Sequence, residues 1–342
     1  MASKRKRITI GVGVTAAVVI TLGVGIGTAN AATRRPWWDR WNHKPPASAP
    51  ATPKPSASVS ATPKPSASAP ASTAPSASAP VTTSAPAPAP SASTSVPTVP
   101  AGTVSAPPAN ATFDYQIGGA YTPPSGVSVV SRDYTASPAA GIYNICYVNA
   151  FQTQPDAESW WKTNHSDLLL KDKQGKLVED EDWGELFLDF STDAKRAALT
   201  TIVGGWIDKC AAKGFKAVEP DNLDTYTRSN GLLTEDQAVA YAASLASYAH
   251  GKGLAIGQKN TAELSTAKAK KAGFDFAVAE ECGTWNECGA YTATYGSKVI
   301  VIEYDQGGFT KACNSHGSTL SVVQRDRDVT APGSKSYVWK AC

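Results

Sequence analysis

From residue 112 onward, the chain alternates short apolar runs with longer stretches of helical periodicity. Three of these stretches predict helices, at 192–212, 234–250 and 262–272. Eight apolar runs predict buried strands, at 113–118, 127–133, 143–150, 217–221, 255–260, 276–280, 299–304 and 320–325. Strands that alternate with helices form parallel βα units. Eight such strands in about 230 residues predict an α/β fold, a compact (β/α)₈ barrel of the TIM type.

Capping residues mark the ends of two of these helices. Thr192 opens the first helix, and Gly214 follows its end. Thr234 and Gln237 have the spacing of a capping box at the start of the second helix. The connection 120–126 is too short for a helix, so we expect the start of the barrel to be irregular.

The first 31 residues have the layout of a secretory signal peptide. Lys-Arg-Lys-Arg at 4–7 precedes an apolar run at 8–29, and Ala29-Asn30-Ala31 fits a small-residue cleavage site. These features predict export, with cleavage after Ala31. An apolar run of this length also suffices to span a bilayer, so an uncleaved anchor is the alternative.

Residues 32–111 are dominated by Pro, Ala, Ser and Thr, and Ala-Thr-Pro-Lys-Pro-Ser-Ala-Ser occurs at both 51–58 and 61–68. Such a composition cannot bury a core, so we predict an extended, disordered linker. The remaining residues, 112–342, are then the single folded domain.

Charge and cysteine content narrow the function of this domain. Residues 112–342 carry 22 basic and 28 acidic residues, a balance that argues against nucleic-acid binding. We expect a monomer whose only membrane contact is the possible signal anchor. Six cysteines in an exported chain predict three disulfides, with 15 possible pairings. There is no Cys-x-x-Cys, and the four histidines have no metal-ligand spacing, so neither metal nor cofactor is expected.

Acidic residues accumulate where the predicted strands end. In the stretch 217–221, Glu219 and Asp221 are two positions apart and should face the same side. Pro220 between them cannot donate a ladder hydrogen bond, so strand pairing should stop near it. Other strand ends read Arg132-Asp133, Lys259-Asn260, Glu280-Glu281, Glu303-Tyr304-Asp305 and Arg325-Asp326. In a TIM barrel these ends form the functional face.

Paired carboxylates across such a face suit glycoside hydrolysis, in which one protonates the leaving oxygen and the other attacks the anomeric carbon or activates water. Aromatic residues in or beside the same loops have faces suited to stacking on sugar rings. They are Trp183, Trp285, Tyr226 and Tyr304.

At this point the sequence resembles glycoside hydrolase family 114, secreted barrel enzymes described as endo-α-1,4-polygalactosaminidases. The resemblance rests on the stretch 218–224, the Lys259-Asn260 strand end, the stretch 279–288, Ile145-Cys146-Tyr147 and Glu303-Tyr304. It implies a catalytic aspartate at Asp221 and a catalytic glutamate at Glu280. Glu281 occupies a position where relatives carry Gln, and the stretch 149–152 differs from the family's Gly- and Glu-containing third strand.

The resulting hypothesis is a secreted endo-glycosidase that acts on a cationic amino-sugar polymer. Beside Asp221 and Glu280, the predicted substrate-binding residues are Asp133, Asp224, Tyr226, Lys259, Asn260, Glu281, Trp285, Glu303, Tyr304 and Asp305. A non-catalytic carbohydrate-binding barrel, tethered to the cell envelope, is the alternative. A serine esterase is disfavoured because the chain lacks a Gly-x-Ser-x-Gly elbow.

Three disulfides are predicted in this domain. A bridge between Cys282 and Cys288 would stiffen the loop that follows Glu280. A Cys313–Cys342 bridge would tie down the C-terminus, and Cys146–Cys210 completes the set by elimination.

Overall fold

The computed structural model describes residues 104–154 and 157–342. The predicted signal segment and nearly all of the predicted linker lie outside the described residues. In the part of the chain that is described, none of the helices has the length and apolar character that a membrane span needs.

Eight parallel strands follow one another around a barrel in chain order. They are β1 (Phe113–Gln116), β2 (Val129–Asp133), β3 (Tyr143–Asn149), β4 (Ala217–Asp221), β5 (Ala255–Lys259), β6 (Phe276–Glu280), β7 (Val299–Glu303) and β8 (Ser321–Arg325). Every predicted strand is present, and no bound is displaced by more than two residues. The prediction of a TIM-type α/β barrel is confirmed.

The main helices begin and end where their capping residues predict. The helices of the described residues are α1 (Glu158–Asn164), α2 (Asp193–Lys213), α3 (Thr225–Arg228), α4 (Glu235–Gly251), α5 (Thr266–Ala272), α6 (Cys282–Trp285), α7 (Cys288–Tyr295) and α8 (Gln306–His316). Thr192 caps α2, which ends at Gly214 with φ of 92°. Thr234 and Gln237 form the predicted capping box of α4.

The predicted start of the third helix at residue 262 is wrong, because α5 begins at Thr266. Thr261 has φ of 67°, a left-handed conformation that turns the chain after β5. The Ser265 side chain then accepts a hydrogen bond from the Lys268 amide and caps the helix. Residues 262–265, Ala-Glu-Leu-Ser, therefore form a turn and a helix cap instead of the first turn of the predicted helix.

The first part of the barrel is irregular, as the short connection predicts. No helix lies between β1 and β2, and the connection 134–142 after β2 also lacks one. Lys213, at the end of α2, covers this second connection. Its ammonium donates to the carbonyl oxygens of Tyr134, Thr135 and Ala136, at 2.7, 2.8 and 3.0 Å.

A ninth strand, β9 (Trp339–Ala341), pairs antiparallel with β8 and was not predicted. Three residues are too few for a recognisable period. Trp339 donates through Nε1 to the Phe113 carbonyl at 3.2 Å, which links β9 to β1. Asp114 on β1 and Arg325 on β8 form a fully buried ion pair at 3.1 Å. We call this junction of β1, β8 and β9 the seam.

The core has an inner and an outer layer. Phe113, Ile145, Phe276 and Val323 belong to the cluster inside the barrel, and a larger cluster fills the space between strands and helices. Gly257 on β5 is required by the inner packing, because a Cβ there would lie 2.8 Å from the Phe276 ring. The layers hold the strand ends in register and so fix the functional face.

The three predicted disulfides are confirmed. Cys146–Cys210 joins β3 to α2, Cys282–Cys288 joins α6 to α7, and Cys313–Cys342 joins α8 to the C-terminus. The last bridge places the C-terminal residues beside α8 and thereby supports β9. No free cysteine occurs among residues 104–154 and 157–342.

Candidate active site

The centre of the site is built from the last residues of three consecutive strands. Asp221 ends β4, Lys259 ends β5 and Glu280 ends β6. The residues that follow them, Asn222, Asn260 and Glu281, have positive φ angles of 67°, 47° and 58° although none is glycine. Such strained turns concentrate at functional sites. Here they stop each strand directly after the side chain that points into the barrel mouth.

Lys259 lies between the carboxylates that the sequence predicts to be catalytic. Its Nζ is 3.3 Å from Asp221 Oδ1 and 3.4 Å from Glu280 Oε2. A third carboxylate, Glu219, is closer, at 2.9 Å. The Lys259 side chain is only 1% exposed. One buried ammonium is therefore shared by three carboxylates.

The shared ammonium also limits the distance between Asp221 and Glu280. Asp221 Oδ1 and Glu280 Oε2 can be no further apart than their combined distances to Nζ, about 6.7 Å. Carboxyl groups of retaining glycosidases lie about 5–5.5 Å apart and those of inverting enzymes about 6.5–9.5 Å apart. The limit applies to one oxygen of each carboxylate and is compatible with the retaining range.

Hydrogen-bond donors surround the Asp221 carboxylate. Tyr147 donates its hydroxyl to Oδ2 at 2.6 Å, and the Asn222 amide donates to Oδ1 at 2.8 Å. Burial by itself would raise the pKa of Asp221, but Lys259 and these two donors outweigh burial and lower the pKa below its ordinary value. Asp221 is therefore held as an anion.

Glu280 is held from both sides of the cleft mouth. Asn260 donates from Nδ2 to Oε2 at 2.8 Å and accepts the Glu280 amide at Oδ1, also at 2.8 Å. The Tyr304 hydroxyl donates to Oε1. Burial and the neighbouring Glu280 raise the pKa of Tyr304 well above its ordinary value, so it remains a donor.

Glu219 faces the same side as Asp221, as the period of two predicts, but it lies deeper. Its side chain is fully buried. It accepts from Tyr115 at 2.8 Å, from Ser131 at 2.6 Å and from Lys259. The expected end of strand pairing near Pro220 occurs only on the side of β5, where β4 is paired no further than Val218. On the side of β3, the pairing of β4 continues through Asp221.

Glu281 turns away from Lys259 and forms an ion pair with Arg327 at 3.0 Å. Burial raises the pKa of Glu281, although Arg327 opposes this effect. The Arg327 guanidinium also lies 5.0 Å from the centre of the Tyr304 ring. Arg327, which sequence reasoning did not identify, thus connects Glu281 to the tyrosine that holds Glu280.

Glu303 and Asp305 anchor α6, the short helix that follows Glu281 and carries half-buried Trp285. Glu303 is fully buried and accepts from the Gly283 amide at 2.6 Å and the Thr284 hydroxyl at 2.9 Å. Burial raises the pKa of Glu303 to about 7 despite these donors. Asp305 is exposed, caps α8 and also contacts Thr284, at 2.8 Å. The structure thus engages both acids within the protein.

The wall beside Asp221 comes partly from residues that sequence reasoning missed. Asp180 and Glu185 lie in the segment between α1 and α2, which the strand pattern does not cover. Arg228 pairs with Asp180 at 3.3 Å and with Asp224 at 3.1 Å. Asn149 donates to Glu185 at 2.8 Å. Burial raises the pKa values of Glu185 and Asp224.

Two predicted binding residues lie outside the immediate centre. Asp133 ends β2 and accepts from the Thr135 amide at 2.8 Å, within its own turn. Tyr226 lies on α3 and donates to Glu263 at 3.2 Å. Asn260 and Tyr304 hydrogen-bond Glu280 directly, whereas the Glu281 side chain is linked to the centre through Arg327 and Tyr304. Among the described residues, no group of three His, Cys, Asp or Glu has a metal-binding arrangement.

The fold is similar to that of solved glycoside hydrolases. Ega3 from Aspergillus fumigatus, crystallised with galactosamine, is 23% identical, with a TM-score of 0.57 over 71% of this chain and 100% of that chain. The glycoside hydrolase domain of PelA from Pseudomonas aeruginosa is 14% identical, with a TM-score of 0.45 over 66% of this chain and 98% of that chain. No curated protein matches the chain. The profile of glycoside hydrolase family GH114 matches residues 93–342, and the chain therefore belongs to this family of glycoside hydrolases.

Proposed function

We propose that the protein is an exported endo-glycosidase that cleaves internal α-1,4 bonds of a galactosamine-containing polysaccharide with two carboxylates. Family membership makes it a glycoside hydrolase. The observation that carries the proposed mechanism is the position of Asp221 and Glu280 on either side of Lys259, at 3.3 and 3.4 Å from its ammonium.

In this mechanism Asp221 is the nucleophile and Glu280 the acid and base. Asp221 forms a bond to the anomeric carbon as the glycosidic bond breaks, and Glu280 gives its proton to the leaving oxygen. Glu280 then takes a proton from water, whose oxygen bonds to the anomeric carbon as the Asp221 ester bond breaks. The ionised state of Asp221 supports this retaining course, and the limit of about 6.7 Å between the two carboxylate oxygens is compatible with it.

The charge of the centre supports an amino sugar as substrate. Three carboxylates around one ammonium leave an excess of negative charge. Asp180, Glu185 and Asp224 face a single arginine, Arg228, in the adjacent wall. A galactosamine unit without its acetyl group carries an ammonium that offsets this excess. The similarity to Ega3, crystallised with galactosamine, is consistent with this substrate class.

Export is supported by the sequence of the first 31 residues and by the three disulfides, which persist in oxidising compartments. The proline-rich linker would then separate the barrel from the cell surface, or from the anchor if the signal segment is retained. Detection of the mature N-terminus after residue 31 in culture medium would support export and cleavage. A protein found only in the cytoplasm would contradict both.

The substrate is tested by incubating the purified protein with polygalactosamine, its fully N-acetylated form and chitosan, with products identified by mass spectrometry. We expect oligomers of several lengths from polygalactosamine, and less cleavage as N-acetylation increases. Cleavage of neutral glycans in preference to polygalactosamine would overturn the substrate assignment but leave the glycosidase class intact. NMR of the first product should show the α-anomer if the mechanism is retaining.

A further inference from the structure

Glu219 is a fully buried carboxylate for which the two-carboxylate reaction has no use, yet it makes the shortest ion pair to Lys259. We propose that Glu219 and Lys259 are positioning residues: Glu219 fixes the Lys259 ammonium as one stationary counter-ion for the negative charge that moves from Asp221 to Glu280 during glycosidic cleavage. The inference rests on the proposed function and deepens it, because it assigns the centre's charge balance to residues that need not touch the sugar.

The Lys259 side chain is held in place by several groups. Nζ lies 2.9 Å from Glu219 Oε1 and 2.9 Å from the Tyr115 hydroxyl, which itself donates to Glu219. The ammonium also lies 5.4 Å from the Tyr115 ring centre and 5.6 Å from that of Tyr147. A lysine with 1% exposure and these partners is a poor group for contacting substrate, but it is a well-fixed charge.

Glu219 is suited to anchoring because it is removed from the reacting atoms. Ser131 donates to its second oxygen at 2.6 Å, so both carboxylate oxygens are occupied. Its side chain has no exposed surface. A buried ammonium without a partner is costly, and the Glu219 carboxylate at 2.9 Å offsets that cost. Glu219 therefore keeps Lys259 charged through the whole catalytic cycle.

The near-equal distances from Lys259 to the two reacting groups are the core of the inference. When Asp221 becomes bonded to the sugar it loses its negative charge, and Glu280 gains one by giving up its proton. The charge thus moves from a carboxylate at 3.3 Å to one at 3.4 Å from the same ammonium. Because the distance hardly changes, the fixed ammonium stabilises the charge before and after bond cleavage without moving.

The titratable groups that face Lys259 come from four strands. Tyr115 lies on β1, Tyr147 on β3, Glu219 and Asp221 on β4, and Glu280 on β6. Burial and the neighbouring acids raise the pKa values of the two tyrosines well above their ordinary value, so both remain neutral donors. Lys259 itself, on β5, has its pKa raised well above the ordinary value by Asp221, Glu280 and Glu219, against the effect of burial. It is therefore the only cation in this group.

The first test needs no substrate. The Asp221 carboxyl is titrated by ¹³C NMR in the full-length protein, its Lys259→Met variant and the Lys259→Met/Glu219→Gln double variant. The double variant removes a whole ion pair, which proteins tolerate better than the loss of one partner. We expect the Asp221 midpoint, below its ordinary range in the wild type, to rise in both variants. An unchanged midpoint in a folded variant would overturn the proposal.

The second test uses cleavage of polygalactosamine. Lys259→Met should lower kcat roughly 10²-fold or more and move the acidic limb of the kcat/KM profile to higher pH. Glu219→Gln should lower kcat with little change in KM, but have no further effect in the Lys259→Met background, because Glu219 acts through Lys259. Independent effects of the two substitutions, or an unmoved acidic limb, would overturn the proposal.

Asp114→Asn is the matched control, since it breaks another fully buried ion pair that lies away from the reacting carboxylates. It should reduce thermal stability and leave the Asp221 titration and the acidic limb in place. A shift as large as that of Lys259→Met would show that any loss of a buried charge has this effect, and would overturn the proposal. If the wild type does not cleave polygalactosamine but the Asp221 midpoint shifts as expected, the proposed substrate fails and the positioning pair stands.

Discussion

Two groups of buried charged residues lie in the same barrel and differ in the balance of acidic and basic groups. At the seam, Asp114 and Asp326 are matched by Arg325 and by Arg132 of the adjoining β2. At the active centre, Glu219, Asp221 and Glu280 share the single ammonium of Lys259. Both groups have little exposure to water. The seam therefore has the charge balance of a structural joint, whereas the residues named at the centre carry more acidic than basic groups.

The polar partners of the two groups point to the same distinction. Arg325 at the seam donates to the Val338 and Thr330 carbonyls as well as to Asp114, so its donors are used within the protein. At the centre, backbone strain follows each of Asp221, Lys259 and Glu280. Folding alone does not require strain at three consecutive strand ends. These differences assign stability to the seam and, under the proposed function, binding of a cationic sugar to the centre.

The strongest test of this division is removal of the acid pair. Asp221→Asn and Glu280→Gln should each lower kcat roughly 10³-fold or more, because each removes a group that makes or breaks a bond. Thermal unfolding should show both variants folded. Glu281→Gln is the matched control, since Glu281 pairs with Arg327 instead of Lys259. Its activity loss should be far smaller, and near-normal turnover in Asp221→Asn would contradict the assignment.

At the seam the effect should fall on stability. Asp114→Asn removes the closer and fully buried of the two carboxylate partners of Arg325, which costs about 3–5 kcal/mol in the free energy of unfolding. Chemical denaturation would measure this change, with kcat/KM of the folded variant unaltered. Glu158→Gln, which breaks an exposed helical pair with Lys162, should cost less than about 0.5 kcal/mol. Equal costs would contradict the structural role of the seam.

An effect of intermediate size on the pH dependence of stability is expected from Glu303, a carboxylate near the centre that accepts hydrogen bonds from neutral donors. Its pKa is about 7 when folded and near 4.5 when unfolded. The native state therefore binds more protons between these pH values, and stability contributed by Glu303 is lost as pH rises from about 4.5 to 7. The loss is about 1–3 kcal/mol. Unfolding midpoints measured across this range should fall less steeply in Glu303→Gln, and an identical slope would contradict the prediction.

The smallest expected effect concerns salt. If unbalanced acids attract the substrate, KM for polygalactosamine should rise several-fold between about 0.02 M and 0.5 M salt, because exposed charges are screened. Asp224→Asn should weaken this salt dependence, since Asp224 belongs to the acidic wall beside Asp221. The Asp114→Asn variant serves as control and should retain it. A KM independent of salt would contradict an electrostatic role for these acids.

Much of the barrel follows from local pattern. Apolar runs placed all eight parallel strands, and Thr192, Thr234 and Gln237 marked helix starts that the structure confirms. Local pattern failed where it was too short or ambiguous. β9 has only three residues, and its place depends on pairing with β8 and on the Cys313–Cys342 bridge. The start of α5 depended on the cap at Ser265 instead of on alanine content.

The face of a strand to which each side chain points is a local property, because side chains alternate with a period of two. The position at which a strand ends is also set locally. They sufficed to bring Asp221, Lys259 and Glu280 to one face. Which side chains meet there is decided by closure of the barrel, which joins Tyr115 to Glu219 across 104 residues and Lys259 to Tyr115 across 144. Closure of the barrel also places Arg327 and Glu185 at the site. No local period carries such contacts, since they depend on how distant strands pack.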